Sequence, residues 1–181
     1  MNKSTKNLVL AGLFLALGLV MPFLTAQIPN LGSRLLPMHI PVLLCGFVCG
    51  WRYGLSVGFV VPVLRSMLFG MPPMFPHAIA MAFELATYGL LAGLFYQLLP
   101  KKNFSTYLTL ILAMIGGRIV WGIASLVLYG LNGLPFTWQI FVGGAFINAI
   151  PGIIVQIILI PIIIMALERA RLIGEGVTEW A

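Results

Sequence analysis

An all-α membrane protein, built as a compact bundle of six transmembrane helices, is the fold class this sequence predicts. Three observations carry that expectation. Hydrophobic residues make up 61% of the 181-residue chain while charged residues make up only 8%, against about 25% charged in an ordinary soluble domain. The apolar residues fall in long runs separated by short connections rich in Pro, Gly and Asn, the composition of turns. Most of the basic residues stand at the ends of those runs, where helices meet the membrane surface.

Crossing the hydrocarbon takes about 20 apolar residues, with a range of roughly 17–25. The first run, 8–24, follows Lys3 and Lys6 and is longer than a signal-peptide core of about 7–15 residues, so it reads as the first helix. The second, 36–50, is short and contains Pro41, which predicts a tilted, bent or partly re-entrant segment. The third covers 53–69, the fourth 77–99, the fifth 107–129 and the sixth 140–167. Between them lie 25–35, 51–52, 70–76, 100–106 and 130–139. No linker divides the chain, which reads as one domain over 1–181.

Cytoplasmic ends collect Lys and Arg. With the N-terminus inside, Lys3, Lys6, Arg52, Lys101, Lys102, Arg169 and Arg171 fall on the cytoplasmic side and only Arg34 outside. Both termini are therefore expected in the cytoplasm. The net charge of +6 comes from residues spread over span ends, with no stripe for a phosphate backbone. Cys45 and Cys49, the only cysteines, are too few and too apolar in setting for a disulfide framework or a zinc site, and read as packing residues.

Three ionisable residues stand inside spans: Arg65, Glu84 and Arg118. Each costs about 2.5–3.5 kcal/mol on insertion scales, a total comparable with the roughly 5–15 kcal/mol stability of a whole domain. Helical spacing shows where they point. On the fourth helix Glu84 and Tyr88 share a face, with Met81 beside them, while Ala78, Ala82, Ala86, Gly89 and Gly93 form a small-residue stripe on another, suited to close helix packing. On the fifth, Arg118, Gly122, Ser125 and Tyr129 make a polar stripe. On the third, Gly54, Gly58 and Arg65 share a face, with Pro62 loosening the backbone between them,. On the sixth, Gly144, Asn148 and Gly152 carry a single amide.

At 1.5 Å per residue, Arg65 lies about 8 Å below the outer surface, Glu84 about 10 Å, and Arg118 and Asn148 about 12–17 Å. All four are expected to line one pocket that opens outward. The simpler reading is a structural ion pair of Glu84 with Arg65 or Arg118. It leaves one arginine unpaired, and an anionic ligand completes the balance unless that arginine snorkels to the interface. His39 and His77, at outer helix ends, are candidate caps of the site; Trp121 is a candidate stacking surface, and Gln139 a further contact. The glycines Gly46, Gly50, Gly54 and Gly58 straddle a turn and read as packing positions.

The sequence contains no GxxxxGK[ST] loop, no HExxH pair and no GxSxG elbow, so no catalytic residue, cofactor or metal ligand is assigned. A solute moved uphill would need an ion gradient or a separate ATPase. The chain lacks the inverted repeats and matched broken helices of self-sufficient secondary transporters, which favours a binding subunit powered by partners.

The stretches MHIPVLLCGFVCGWRYG (38–54), LRSMLFGMPPMFP (64–76) and AIAMAFELATYGLLAGL (78–94) resemble the substrate-binding S components of energy-coupling factor (ECF) vitamin transporters, most nearly the pantothenate-type branch. The resemblance covers nearly the whole chain. It implies a multi-pass protein of the bacterial plasma membrane that binds a small vitamin from outside, under its outer loops. It also implies docking on a transmembrane T component carrying two ATPases, followed by toppling to release the substrate inside. Family docking uses an AxxxA motif on helix one; this sequence offers Gly12 and Ala16 at that spacing, with Ala11 adjacent. Pantothenate, with one carboxylate, suits two arginines against one glutamate. Folate, riboflavin and a hydroxymethylpyrimidine stay open as substrates. So do two other classes, an intramembrane enzyme using Glu84 and Arg118 on a lipid-linked substrate, and a self-sufficient transporter or channel.

Overall fold

The computed structural model of the chain describes residues 3–26, 34–100, 102–131, 133–170 and 172–173. Most of the first outer connection, and Lys101 and Arg171 of the orientation count, lie outside the described residues. Helix α1 runs Lys3–Ala26, α2 His39–Cys49 and α3 Trp51–Phe69. A wide turn, Met74–Ala78, leads into α4, Ile79–Leu98, and α5 covers Asn103–Leu131. The last apolar run is divided into α6, Trp138–Val142, a second wide turn, Gly143–Ile147, and α7, Ile150–Arg169.

Four helical stretches are long and apolar enough to cross a membrane: Ser4–Leu24, Met74–Leu98, Phe104–Leu131 and Trp138–Arg169. This all-α bundle is that of a multi-span membrane protein. Helix α2 departs from the expected second span. Its 11 residues rise about 16 Å, half of a hydrocarbon core of about 30 Å. All of them but Val48 are buried, so α2 is a central element wrapped by the others. At Gly50 the chain turns directly into α3 with φ at 91°, a backbone angle that only glycine adopts without strain.

Where the sequence predicts one sixth span over 140–167, the chain breaks. Pro151 has no amide to donate to the turn before it, and Gly143 and Gly144 offer little resistance to a local rearrangement. Thr137 caps the first piece, its hydroxyl accepting from the Ile140 amide at 3.4 Å.

Helix α4 is the hub, packing against α3, α5 and α2, while α1 lies on α2 and α3. Small residues permit this closeness. A Cβ on Gly54 of α3 would stand 2.5 Å from the Gly89 carbonyl oxygen of α4, and one on Gly46 of α2 would meet the same oxygen at 2.5 Å. The outer faces of the helices carry the opposite pattern: Ile115, Ile119 and Ile123 on α5, and Ile150, Ile154, Ile158 and Ile162 on α7, are exposed at successive turns. Aliphatic stripes of this extent belong against lipid.

Hydrogen bonds define one end of the bundle. The Tyr53 hydroxyl donates to the Ser4 carbonyl at 3.4 Å and Asn7 Nδ2 to the Cys49 carbonyl at 3.5 Å, which joins the start of α1 to the α2–α3 junction. The Tyr96 hydroxyl donates to the Glu168 carboxylate, joining the ends of α4 and α7. The opposite end holds the starts of α2, α4 and α7.

Gly54→Ala should lower the thermal midpoint of the detergent-solubilised protein, at the cost of about 1–3 kcal/mol typical of overpacking. Gly12→Ala, where an added Cβ meets nothing within 4 Å, should leave it unchanged or raise it. Equal midpoints for the two variants would contradict the α3–α4 contact.

Candidate functional site

At that opposite end a cavity of about 410 Å³ is lined by Arg34, Leu36, His39, His77, Met81, Glu84, Arg118, Trp121, Gly144, Asn148 and Ala149. Each helix start contributes something. The connection into α2 turns at Leu36, whose φ of 51° is uncommon for a residue with a side chain, and its carbonyl accepts from the His39 amide at 3.0 Å. His39 thereby opens α2 facing inward, 1% exposed. The wide turn before α4 brings in His77, and the first turns of α4 bring in Met81 and Glu84. The break between α6 and α7 supplies Gly144, Asn148 and Ala149.

An ion pair lies in the wall. Glu84 Oε1 is 2.8 Å from Arg118 Nη1 and 3.5 Å from His39 Nε2. One turn below, the buried Tyr88 ring meets His39 edge-on at 5.2 Å. Glu84 engages only part of the guanidinium: Arg118 Nε and Nη2 are buried without a hydrogen-bond partner among the described residues. Leaving such donors bare costs about 1–3 kcal/mol each, more when charged. These atoms are the strongest demand for a ligand in the described part of the protein.

The start of α7 also lies at the cavity, through Asn148 and Ala149. The Gly152 amide is taken by the Arg34 carbonyl at 3.1 Å, which fastens the chain before α2 onto α7.

Of the residues that the sequence offers as site candidates, His39, His77, Glu84, Arg118, Trp121 and Asn148 meet at this cavity. Tyr88 lies buried behind Glu84. Ser125 is buried in α5 with its hydroxyl unpartnered among the described residues, and Gln139 is exposed on α6; neither lines the cavity. Arg65 departs from the expected shared chamber. Its Nη1 donates to the Leu19 carbonyl of α1 at 2.5 Å, and its guanidinium lies over Phe23 at 4.7 Å and Phe69 at 5.4 Å. Pro62 interrupts the α3 hydrogen-bond ladder below Arg65, and the long side chain reaches α1 instead. A carbonyl and two aromatic faces satisfy it there.

Helix one is corrected as well. Ala11 is 6% exposed and packs in the core with Val42, Cys45, Val57 and Val61, because it stands on the face that α1 turns towards α2 and α3. Gly12 and Ala16 stand on the exposed face. Cys45 and Cys49 are buried with free thiols.

Arg34, Met81 and Gly144 are cavity residues that the sequence reading did not assign. Arg34 had a signal, since it is the one basic residue among the span ends that the expected orientation leaves on the outer side,. Among the described residues no group of three or more His, Cys, Asp or Glu is positioned to hold a metal ion.

Residues 6–164 match the family described as ECF transporter, substrate-specific component. No curated protein and no solved structure gives a significant match to the chain.

Removing one partner of the buried pair should cost more than removing both. Arg118→Met should lower stability by about 3–5 kcal/mol, and Arg118→Met with Glu84→Met should recover most of it, read as thermal midpoints in detergent. A double variant no more stable than the single one would mean that Glu84 does not depend on Arg118.

Proposed function

The chain belongs to the substrate-specific components of ECF transporters, and from that premise we propose that it binds a small carboxylate-bearing vitamin or vitamin precursor, pantothenate foremost, from the outside. As a member of that family it is a membrane-embedded, substrate-binding component of an ECF-type transporter. Components of this family dock with a T subunit and ATPase subunits, and the energy for uptake comes from those partners.

The observation that carries the reading is the half-engaged guanidinium of Arg118. Glu84 takes Nη1, while Nε and Nη2 are buried without a hydrogen-bond partner among the described residues, in a residue that lines the cavity. With Arg34 also on the wall, two guanidinium cations face one carboxylate, an excess of one positive charge. A monocarboxylate balances it. A cation does not, and a dianion overshoots. The volume of about 410 Å³ falls within the roughly 300–1,000 Å³ of small-molecule sites, and His39, His77 and Asn148 offer partners for the hydroxyls and amide of a molecule such as pantothenate.

The proposed topology has six spans, with α2 and α3 completing the four long helices, and both termini in the cytoplasm of a bacterial cell. Support comes from the gathering of Lys6, Arg52 and Arg169 at the bundle end opposite the cavity, where α1 begins, α3 begins and α7 ends. The cavity then faces outward. The exposed Gly12 and Ala16 lie among lipid-facing Leu13, Leu17 and Val20, and this flat stripe is the proposed contact with the T subunit.

Mass spectrometry of small molecules retained through purification should find pantothenate at about one per chain; folate, riboflavin or a hydroxymethylpyrimidine in its place would reassign the substrate. Arg118→Ala should weaken binding of radiolabelled pantothenate more than tenfold, measured below the variant's own unfolding temperature, and unchanged affinity would remove the guanidinium from the site. Gly12→Leu should leave binding intact while impairing uptake by cells and capture of the T subunit and two ATPases. Normal uptake by that variant would exclude helix one from docking.

A further inference from the structure

The cavity has one aromatic wall, and a glycine stands against it. Trp121, 9% exposed, lines the cavity from α5, and Gly144 lines it from the turn after α6. A Cβ on Gly144 would lie 2.8 Å from Trp121 Cη2 and 3.6 Å from Cζ2 and Cζ3. The first distance is well inside the roughly 3.5–4.0 Å at which carbon atoms pack. The tip of a flexible side chain ordinarily swings away from such an intrusion at little cost. This one is hemmed in. Phe141 stacks on the indole at 6.1 Å and 24°, and Phe136 meets it edge-on at 5.8 Å and 74°.

The backing rings are themselves seated closely. A Cβ on Gly122, one residue after Trp121, would come within 2.9 Å of Phe141 Cδ2, so Phe141 already lies close against α5. Ala80 and Ala145 complete the buried cluster around the indole. Trp121 also lines the cavity, so an indole pushed from position 144 and held by its backing rings moves into the space that a ligand would fill.

We propose that Gly144 is a specificity-determining position of the substrate cavity: by bearing no side chain it lets the Trp121 indole lie back against Phe136 and Phe141, and so fixes the size of carboxylate-bearing ligand that fits between the indole and Arg118. This rests on the reading of the cavity as the substrate site. It assigns to the α6–α7 break a role beyond supplying Asn148, because the glycine stands in the turn itself. Gly144 is a positioning residue acting through Trp121, and its signature is steric coupling between the two.

The test compares wild type, Gly144→Ala, Trp121→Phe and the double variant, purified in detergent, each measured with radiolabelled pantothenate and by mass spectrometry of the retained small molecule. Gly144→Ala should bind at least tenfold more weakly than wild type. Trp121→Phe removes the part of the indole that a Cβ at 144 would strike, so the double variant should bind within about threefold of Trp121→Phe alone. Wild-type affinity in Gly144→Ala, or a double variant as weak as Gly144→Ala, would overturn the proposal. If Gly144→Ala fails to elute as a single species while the double variant does, the coupling is read in folding instead and supports it. Failure of both proteins would overturn it, since relieving the ring should restore the fold. Retention of a carboxylate other than pantothenate overturns the vitamin assignment alone, and the four-protein pattern is then read on that molecule. Retention of nothing by wild type, with no pantothenate binding, overturns both.

Discussion

The rest of the structure depends on the constraint that a carboxylate and a guanidinium buried in a hydrocarbon-facing bundle have to find each other. Glu84 and Arg118 do so at 2.8 Å, and the pair joins α4 to α5 at one depth. Its existence sets requirements on the surrounding helices. Helix α4 has to be held on its other faces closely enough that the carboxylate cannot turn towards lipid, and the contact of Gly54 with Gly89 achieves this against α3. The pair also has to be shielded from beneath, which Tyr88 and α2, buried at every residue but Val48, provide. Packing and polarity are thus two aspects of one arrangement: small residues draw the helices together, and their closeness keeps the ions inside.

On the proposed reading, that arrangement lets an interior with so few polar groups recognise a polar molecule. A self-contained ion pair would be structural only. Here the pair is incomplete on the cationic side, and both of its residues line a cavity whose other walls come largely from helix starts. The break in the last apolar run contributes to this, since it sets Gly144, Asn148 and Ala149 at one wall of the cavity. By turning at 143–147 the chain brings an amide side chain, a helix N-terminus and a glycine to the same wall.

How much of this was legible in the sequence follows from the physics of each residue. Glu84 and Arg118 announced themselves, because an ionisable group in an apolar run has few ways of being satisfied, and helical spacing aimed both inward. Arg65 gave the same signal and met a different fate: its partners are the Leu19 carbonyl and the rings of Phe23 and Phe69, groups that carry no charge, the first two of them far away in sequence. Carbonyls can satisfy an arginine from anywhere along a chain, so no pattern of residue types marks them. Helix α2 was legible as short and unusual from Pro41, but its place at the centre was not, because a run apolar on all sides suits lipid and core equally. The break at Gly143–Ile147 had its clues in Gly143, Gly144 and Pro151, which are tolerated in membrane helices often enough to leave the outcome to tertiary packing. Arg34 could be assigned a side of the membrane from sequence, but not a cavity, because its position depends on the Gly152 amide.

That last hydrogen bond, from the Gly152 amide to the Arg34 carbonyl, has a consequence for how the protein comes into being. Its two ends lie near opposite ends of the chain, and during synthesis the first must wait for the second. Contacts of such long sequence separation form late, after the loop between them has been closed by other structure. The ion pair and the α3–α4 contact can assemble as soon as α5 is inserted, whereas the chamber acquires its last wall only when α7 arrives. A nascent chain halted before that point would already possess its charged core and yet have nowhere to hold a guest.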